Sequence, residues 1–439
     1  MIGPGLAAVG LLLALTPTLA ARADLAAESP GKVERLQAPS AHWAFVSDLV
    51  LERAALVNLD DGRFLGQVNG GYGAIAPMFS RRRPELYLPA TYFSRRTRGT
   101  RTDVLEVYDL PTLSPVAEIA LPGKRAIDAV ALAHSALSDD DRFVAVFNWT
   151  PATSLSIVDT DNRTFVEEIP IPGCSLVYPA GPRRFLSLCS DGSALLVRLT
   201  PDGHGQSKAR SRSFFDPKTD PITEKAARFG SSLLFASFEG MVHTVDFSGE
   251  ELTFAEPWPL ASADERRDGW RTGGWQHLAA HQASGRLYAL MHQGEADSHK
   301  DAGNEVWVFD LKTRKRLSRI ELRNPGLTIY GFPLVAPADA NWATRKLVDF
   351  AVNNFPPSVS HIQVTQDERP LLLTASQWSG AVGVYDAIGG KFVRRVLPTG
   401  WTTDLLITPW GGESGAVARW QTQAQASGER PAATAEGAP

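Results

Sequence analysis

Leu105-Glu106-Val107-Tyr108-Asp109, followed by a turn and the return run Val116-Ala117-Glu118-Ile119-Ala120, reads as two short strands joined by a tight loop. Leu105 and Val107 alternate with their neighbours, Asp109 opens the turn, and Pro111 and Pro115 keep the loop from continuing as helix. The pattern recurs at Leu155–Asp159, Val242–Asp246, Val306–Asp310 and Val382–Asp386, with weaker copies at Leu56–Asp60 and Leu195–Leu199. About seven copies at intervals of roughly 40 to 75 residues fit a series of four-stranded blades. A lone hairpin cannot bury its apolar face, so the units must stack in a ring. The pattern predicts an all-β fold, a seven-bladed β-propeller of four-stranded antiparallel blades.

A ring of repeats is one domain whatever its length, so 439 residues require no second globular unit. The expected organisation is a signal peptide over 1–23, an N-terminal arm over 24–39, the propeller over 40–415 with an irregular insertion at 326–357, and a disordered tail over 416–439. Gly5 to Leu19 is small and apolar, and Ala21-Arg22-Ala23 offers a small-x-small cleavage site. No Lys or Arg precedes that run, which departs from the usual leader. The run is shorter than the roughly 20 residues of a spanning helix. The tail, from Gln421, has no apolar period. A net charge of -4 gives no electrostatic reason to expect nucleic acid or an anionic membrane as partner.

Cys174 and Cys189 flank two short strands and a turn. A hairpin with that loop would allow them to sit opposite one another, and in an exported chain a disulfide is the expected state. Gly70-Gly71-Tyr72-Gly73 reads as a sharp turn between blades, with Tyr72 either packed or held out at the face of the ring. Arg81-Arg82-Arg83 and the turn from Arg95 to Arg101 concentrate positive charge, suited to solvation, to ion pairing or to an acidic partner protein. His277, His281, His292 and His299 cluster in sequence. His277 and His281 fall on a strand, where i and i+4 are about 13 Å apart, so no metal site is expected. The insertion carries a short helix around Trp342 to Asp349, and the repeat aspartates, Asp60 among them, are expected to cap their turns.

No nucleophile elbow, phosphate-cradling loop or His-Glu-x-x-His sequence is present. From its residues alone the chain is an exported propeller without visible catalytic groups. Two readings compatible with that are a self-sufficient propeller hydrolase, for example a metal-dependent lactone hydrolase using carboxylates at the central channel, and a protein-binding scaffold.

The run from Ala90 through Arg95-Arg96-Thr97-Arg98-Gly99-Thr100-Arg101 to Asp109 resembles the signature of the large subunit of quinoprotein amine dehydrogenases. So do Asp268-Gly269-Trp270-Arg271-Thr272-Gly273-Gly274-Trp275-Gln276, Ala283 to Tyr288, and the spaced cysteines. Thr150-Pro151-Ala152-Thr153-Ser154, and Met291-His292 with His299-Lys300, resemble the aromatic amine branch more than the methylamine branch. The resemblance implies a periplasmic heterotetramer in which a small cysteine-rich subunit carries tryptophan tryptophylquinone. Primary amines are then oxidised to aldehyde and ammonia, with electrons passing to a blue copper protein. No catalytic residue is expected in this chain, and its eleven tryptophans are expected to be packing residues. The family places an aromatic residue, usually Phe, in the wall of the substrate channel, and Tyr72 stands at the matching position.

Overall fold

A computed structural model describes residues 35–73, 75–127, 132–329, 332–334 and 340–409. The expected signal peptide, most of the arm and the tail lie outside the described residues.

Seven sheets of at least four antiparallel strands follow one another along the chain. Blade 1 takes Trp43–Asp48, Arg53–Asn58 and Phe64–Asn69 from the start of the ring, and Leu405–Ile407 from its end as the innermost strand. Blade 2 is Met78–Phe79, Glu85–Phe93, Arg101–Asp109 and Ser114–Leu121. Blade 3 is Ser135–Leu137, Phe143–Asn148, Ser154–Asp159 and Thr164–Pro170. Blade 4 runs from Cys174–Pro179 to Gly205–Arg210, blade 5 from Ala227–Phe229 to Thr253–Phe254, blade 6 from Leu278–His281 to Lys315–Glu321, and blade 7 from His361–Val364 to Phe392–Gly400. Short edge strands add to blade 5 (Trp258–Pro259) and blade 6 (Trp270–Thr272).

Each of the seven sequence repeats is the third strand of its blade, counted outward from the axis. Most end on an aspartate that caps the turn to the fourth strand. Asp109 accepts the Thr112 N–H, Asp159 those of Asp161 and Asn162, Asp310 that of Thr313, and Asp386 those of Ile388 and Gly389. Blade 1 departs from the expected alignment by two residues. Its third strand ends at Asn58, whose side chain accepts the Asp60 N–H, while Asp60 is free to bond His42 at 2.8 Å. Leu199 supplies no cap in blade 4, and the Thr200 hydroxyl accepts the His204 N–H in its place.

Seven apolar clusters fill the gaps between neighbouring blades. Between blades 1 and 2, for example, Phe45, Leu56 and Val68 meet Leu86, Leu88 and Tyr108. Each large side chain so buried contributes about 1.5–3 kcal/mol relative to exposure, which is how hairpins that are unstable alone become one body. Arg81, Arg82 and Arg83 belong to this framework: Arg81 pairs with Asp141, and Arg82 and Arg83 with Asp161, across the blade 2–blade 3 boundary.

Because the strands alternate in direction, the links between blades and the second-to-third turns all emerge on one face, here called the entry face. The capped third-to-fourth turns emerge on the other. The 326–357 insertion is the entry-face link between blades 6 and 7. It holds a helix, Trp342–Asn353, one turn longer than expected, with Asn341 as its N-cap. A helix absent from the sequence reading, Ala263–Arg267, carries a capping box between Ser262 and Glu265.

Candidate functional site

The Gly70–Gly73 link brings Tyr72 to the entry face, and its glycines are required there. Gly71 has φ +64°, and a Cβ on it would lie 2.4 Å from the Thr91 carbonyl oxygen. Gly73 has φ +101°. The Tyr72 N–H donates to that Thr91 oxygen at 2.7 Å, and the Tyr72 ring stands edge-on to Phe93 with centroids 5.5 Å apart. Tyr72 remains 38% exposed, and its hydroxyl has no hydrogen-bond partner among the described residues. It is therefore a presented side chain and not a packed one.

Tyr72 forms one wall of a cleft of about 280 Å³ between blades 1 and 2, with Leu51, Glu52, Asn69, Tyr92, Phe93 and Arg96 among its lining residues. The aromatic lining suits an organic group of modest size. Behind it the Tyr92 hydroxyl donates to Glu106. Burial pushes the Glu106 carboxyl up, against the opposing hydrogen bonds from Tyr92 and Tyr108, and burial together with Glu106 holds the Tyr92 phenol well above its usual range.

The two arginine runs separate in space. Arg81, Arg82 and Arg83 are committed to ion pairs, whereas Arg95, Arg96 and Arg98 sit exposed on the second-to-third turn of blade 2, with no carboxylate partner among the described residues. The rim of the cleft is therefore positively charged. Elsewhere on the entry face four tryptophans, Trp149, Trp342, Trp378 and Trp401, are half or more exposed. This corrects the expectation that every tryptophan packs. These side chains leave large apolar surface on that face in contact with solvent.

Cys174 and Cys189 are paired opposite one another on the first two strands of blade 4 and joined by a disulfide. The four histidines go to separate places. His277 bonds the Thr223 hydroxyl, His281 bonds Ser284 and the Asp367 carbonyl, His292 bonds Ser298, and His299 stacks on Phe238. Burial drives His277 down to about 3, with Lys225 adding to the effect. Near the axis Asp48 and Asp404 are occupied by the backbone N–H groups of Trp401 and Leu49 and by the Thr402 hydroxyl. They act as ring-closing struts between the end of the chain and blade 1.

Residues 40–331 match the family described as methylamine dehydrogenase heavy chain (MADH). Curated relatives include the methylamine dehydrogenase heavy chain of Paracoccus versutus, 28% identical over 379 residues, covering 84% of this chain and 80% of that one. That of Methylorubrum extorquens is 26% identical over 416 residues, covering 93% of each. Among solved structures, dihydro-heme d1 dehydrogenase NirN superposes with a TM-score of 0.50 at 19% identity, covering 86% of this chain and 77% of that one. The Swd1 propeller domain of Myceliophteria thermophila does so at 0.50 and 10% identity, covering 82% and 98%. At those identities the structures show the propeller fold alone.

Proposed function

Since the chain belongs to the methylamine dehydrogenase heavy chain family, we propose that it is the noncatalytic large subunit of a periplasmic amine dehydrogenase, and that its entry face receives the small quinone-bearing subunit. In that assembly tryptophan tryptophylquinone, held by the small subunit, supplies the oxidation of a primary amine to aldehyde and ammonia, with electrons leaving to a blue copper protein. The described tryptophans are read as framework and surface residues and not as cofactor precursors. Trp270 and Trp307 come within 5.1 Å, but both are buried, with the Arg319 guanidinium over both rings.

What this chain supplies is a rigid wall. The observation that carries the reading is Tyr72, held on a glycine turn at the mouth of an aromatic cleft, at the position the family resemblance gives to the channel. A docked partner turns that open cleft into a closed channel, excluding water and limiting which amines enter. The exposed tryptophans give the partner apolar anchors. Arg95, Arg96 and Arg98 give it a positive rim, complementary to carboxylates on the partner.

Of the residues that suggested the aromatic branch, Ser154 and Met291 do not line the cleft. Ser154 is buried and bonded to Asn148 and Glu168, and Met291 is buried in the core between blades 5 and 6. They serve the framework, and the relatives above carry the methylamine name. The substrate is therefore assigned as a primary amine, with its size set at Tyr72. Replacing Tyr72 with Ala in the assembled enzyme tests this. Cofactor content should stay constant while the relative rates on small and aromatic amines change. An unmoved profile would make Tyr72 a surface residue without a substrate role.

A further inference from the structure

The turn that presents Tyr72 is braced from behind by a buried polar cluster whose members come from three separate stretches of chain. Arg125, in the link from blade 2 to blade 3, is 4% exposed. Its Nε donates to Thr91 Oγ1 at 3.0 Å and its Nη2 to the Tyr72 carbonyl oxygen at 3.4 Å. Its own N–H donates to Asp103 Oδ2 at 2.9 Å. Asp103, 1% exposed, also accepts from the Thr91 hydroxyl at 2.9 Å and from Arg101 through two nitrogens, at 2.9 and 2.8 Å. Arg101 closes the cluster by donating to the Arg125 carbonyl at 2.5 Å.

Two features separate this cluster from ordinary packing. First, a buried guanidinium is costly unless its donors are used and its charge is balanced. Burial pulls Arg125 down to about 10, Asp103 opposing that and Arg101 adding to it. The fold tolerates this group at the one place where it touches the Tyr72 backbone. Second, Thr91 meets the turn twice: its carbonyl accepts the Tyr72 N–H, and its hydroxyl is gripped by Arg125. Both peptide groups flanking the Tyr72 α-carbon are thus fixed, which sets the direction of a side chain whose aromatic support among the described residues is the Phe93 ring.

We propose that Arg125 is a positioning residue for amine selectivity: by clamping the Tyr72 carbonyl against Thr91, with Asp103 and Arg101 as its counter-charge, it fixes how far Tyr72 reaches into the substrate cleft. This rests on the reading of Tyr72 as a wall of the channel. Side chains held by a rigid supporting shell discriminate more sharply than mobile ones.

The test uses the enzyme assembled with its small subunit and reads the ratio of kcat/KM for benzylamine to that for methylamine. Arg125→Met should move that ratio in the same direction as Tyr72→Ala, by about threefold or more, through KM more than kcat. Arg125→Lys, which keeps the charge but not the fork, should lie between Arg125→Met and the parent. In the Tyr72→Ala background Arg125→Met should add little, because the side chain it positions is gone.

Should Arg125→Met fail to fold, Thr91→Val removes the hydroxyl that accepts from Arg125 and donates to Asp103, and should move the ratio less, in the same direction. A second readout does not involve turnover: in the full chain labelled with 3-fluorotyrosine, the Tyr72 fluorine resonance, assigned by its loss in Tyr72→Phe, should narrow toward a mobile limit in Arg125→Lys or Thr91→Val. An unchanged resonance and an unchanged ratio in those variants, beside a Tyr72→Ala variant that does shift the ratio, would overturn the clamp and leave the channel-wall reading standing. A mobile resonance with no variant, Tyr72→Ala included, moving the ratio would overturn the channel-wall reading and the selectivity role with it.

Discussion

His42 Nε2 lies 3.1 Å from Asp367 Oδ2, a contact between residues 325 positions apart that ties the start of blade 1 to the first turn of blade 7. The other ring nitrogen of His42 reaches Asp60 at 2.8 Å. Together with the pairing of Phe45 and Ser47 to Ile407 and Leu405, this latches the ring where its two ends meet. Replacing His42 with Ala removes both contacts and should lower stability by about 1–2 kcal/mol. A denaturation midpoint unchanged in urea would show that the apolar contact between blades 7 and 1 closes the ring without help.

The disulfide lies within blade 4, where it closes a loop with a sequence separation of 15. Cys174→Ser with Cys189→Ser should cost about 3 kcal/mol in the chain-entropy model. The same loss on adding a reductant to the parent would confirm the cause. Activity per assembled molecule should survive, because the bridge lies within blade 4 and neither cysteine lines the Tyr72 cleft.

Gly71→Ala places a Cβ 2.4 Å from the Thr91 carbonyl oxygen, on a residue with φ +64°. The turn must shift to accept it, at a cost of about 1–3 kcal/mol. Amine selectivity should change in the same direction as in Tyr72→Ala, since the same side chain is displaced. Loss of stability with an unaltered substrate profile would separate the turn from the channel.

Acid should weaken the fold through two buried histidines. Burial holds both His277 and His361 down at about 3, whereas in the unfolded chain each titrates near 6.5. Below about pH 6.5 the unfolded state therefore binds protons that the folded state refuses. Their contribution is complete above pH 6.5 and is lost progressively as pH falls toward 3, by about 1.4 kcal/mol per pH unit per histidine in the linear part. Stability measured from pH 7 to pH 4.5 should fall, and His277→Gln with His361→Gln should flatten the slope. An equal slope in the double variant would assign the acid sensitivity to carboxylates.

The ring was legible in the sequence because the third strands end on a residue whose side chain must cap a turn, and Asp109, Asp159, Asp310 and Asp386 announce it. The innermost strands were not. Met78–Phe79, Ser135–Leu137 and Ala227–Phe229 are two or three residues long, too short to carry a period. The two-residue offset at Asn58 arose because Leu59 and Asp60 repeat the apolar-then-acid pattern just past the strand. Ser262 and Glu265 did signal the helix that was missed.

At the site, Tyr72 could be singled out from its glycines. Arg125 could not, because its contact with Tyr72 spans 53 positions and no local pattern records it. The same limit applied to the arginines. Sequence alone does not separate Arg81, Arg82 and Arg83, paired across a blade boundary, from Arg95, Arg96 and Arg98, which are left exposed on a turn.

The central claim is that this chain shapes a pocket whose reactive group belongs to another polypeptide. The most direct measurement is amine-dependent dye reduction by the purified chain, alone and after co-expression with the small subunit and its maturation proteins. The account predicts no turnover and no quinone absorbance from the chain alone, and both from the assembled protein. Amine oxidation by the isolated chain at a rate comparable to the assembly would contradict it.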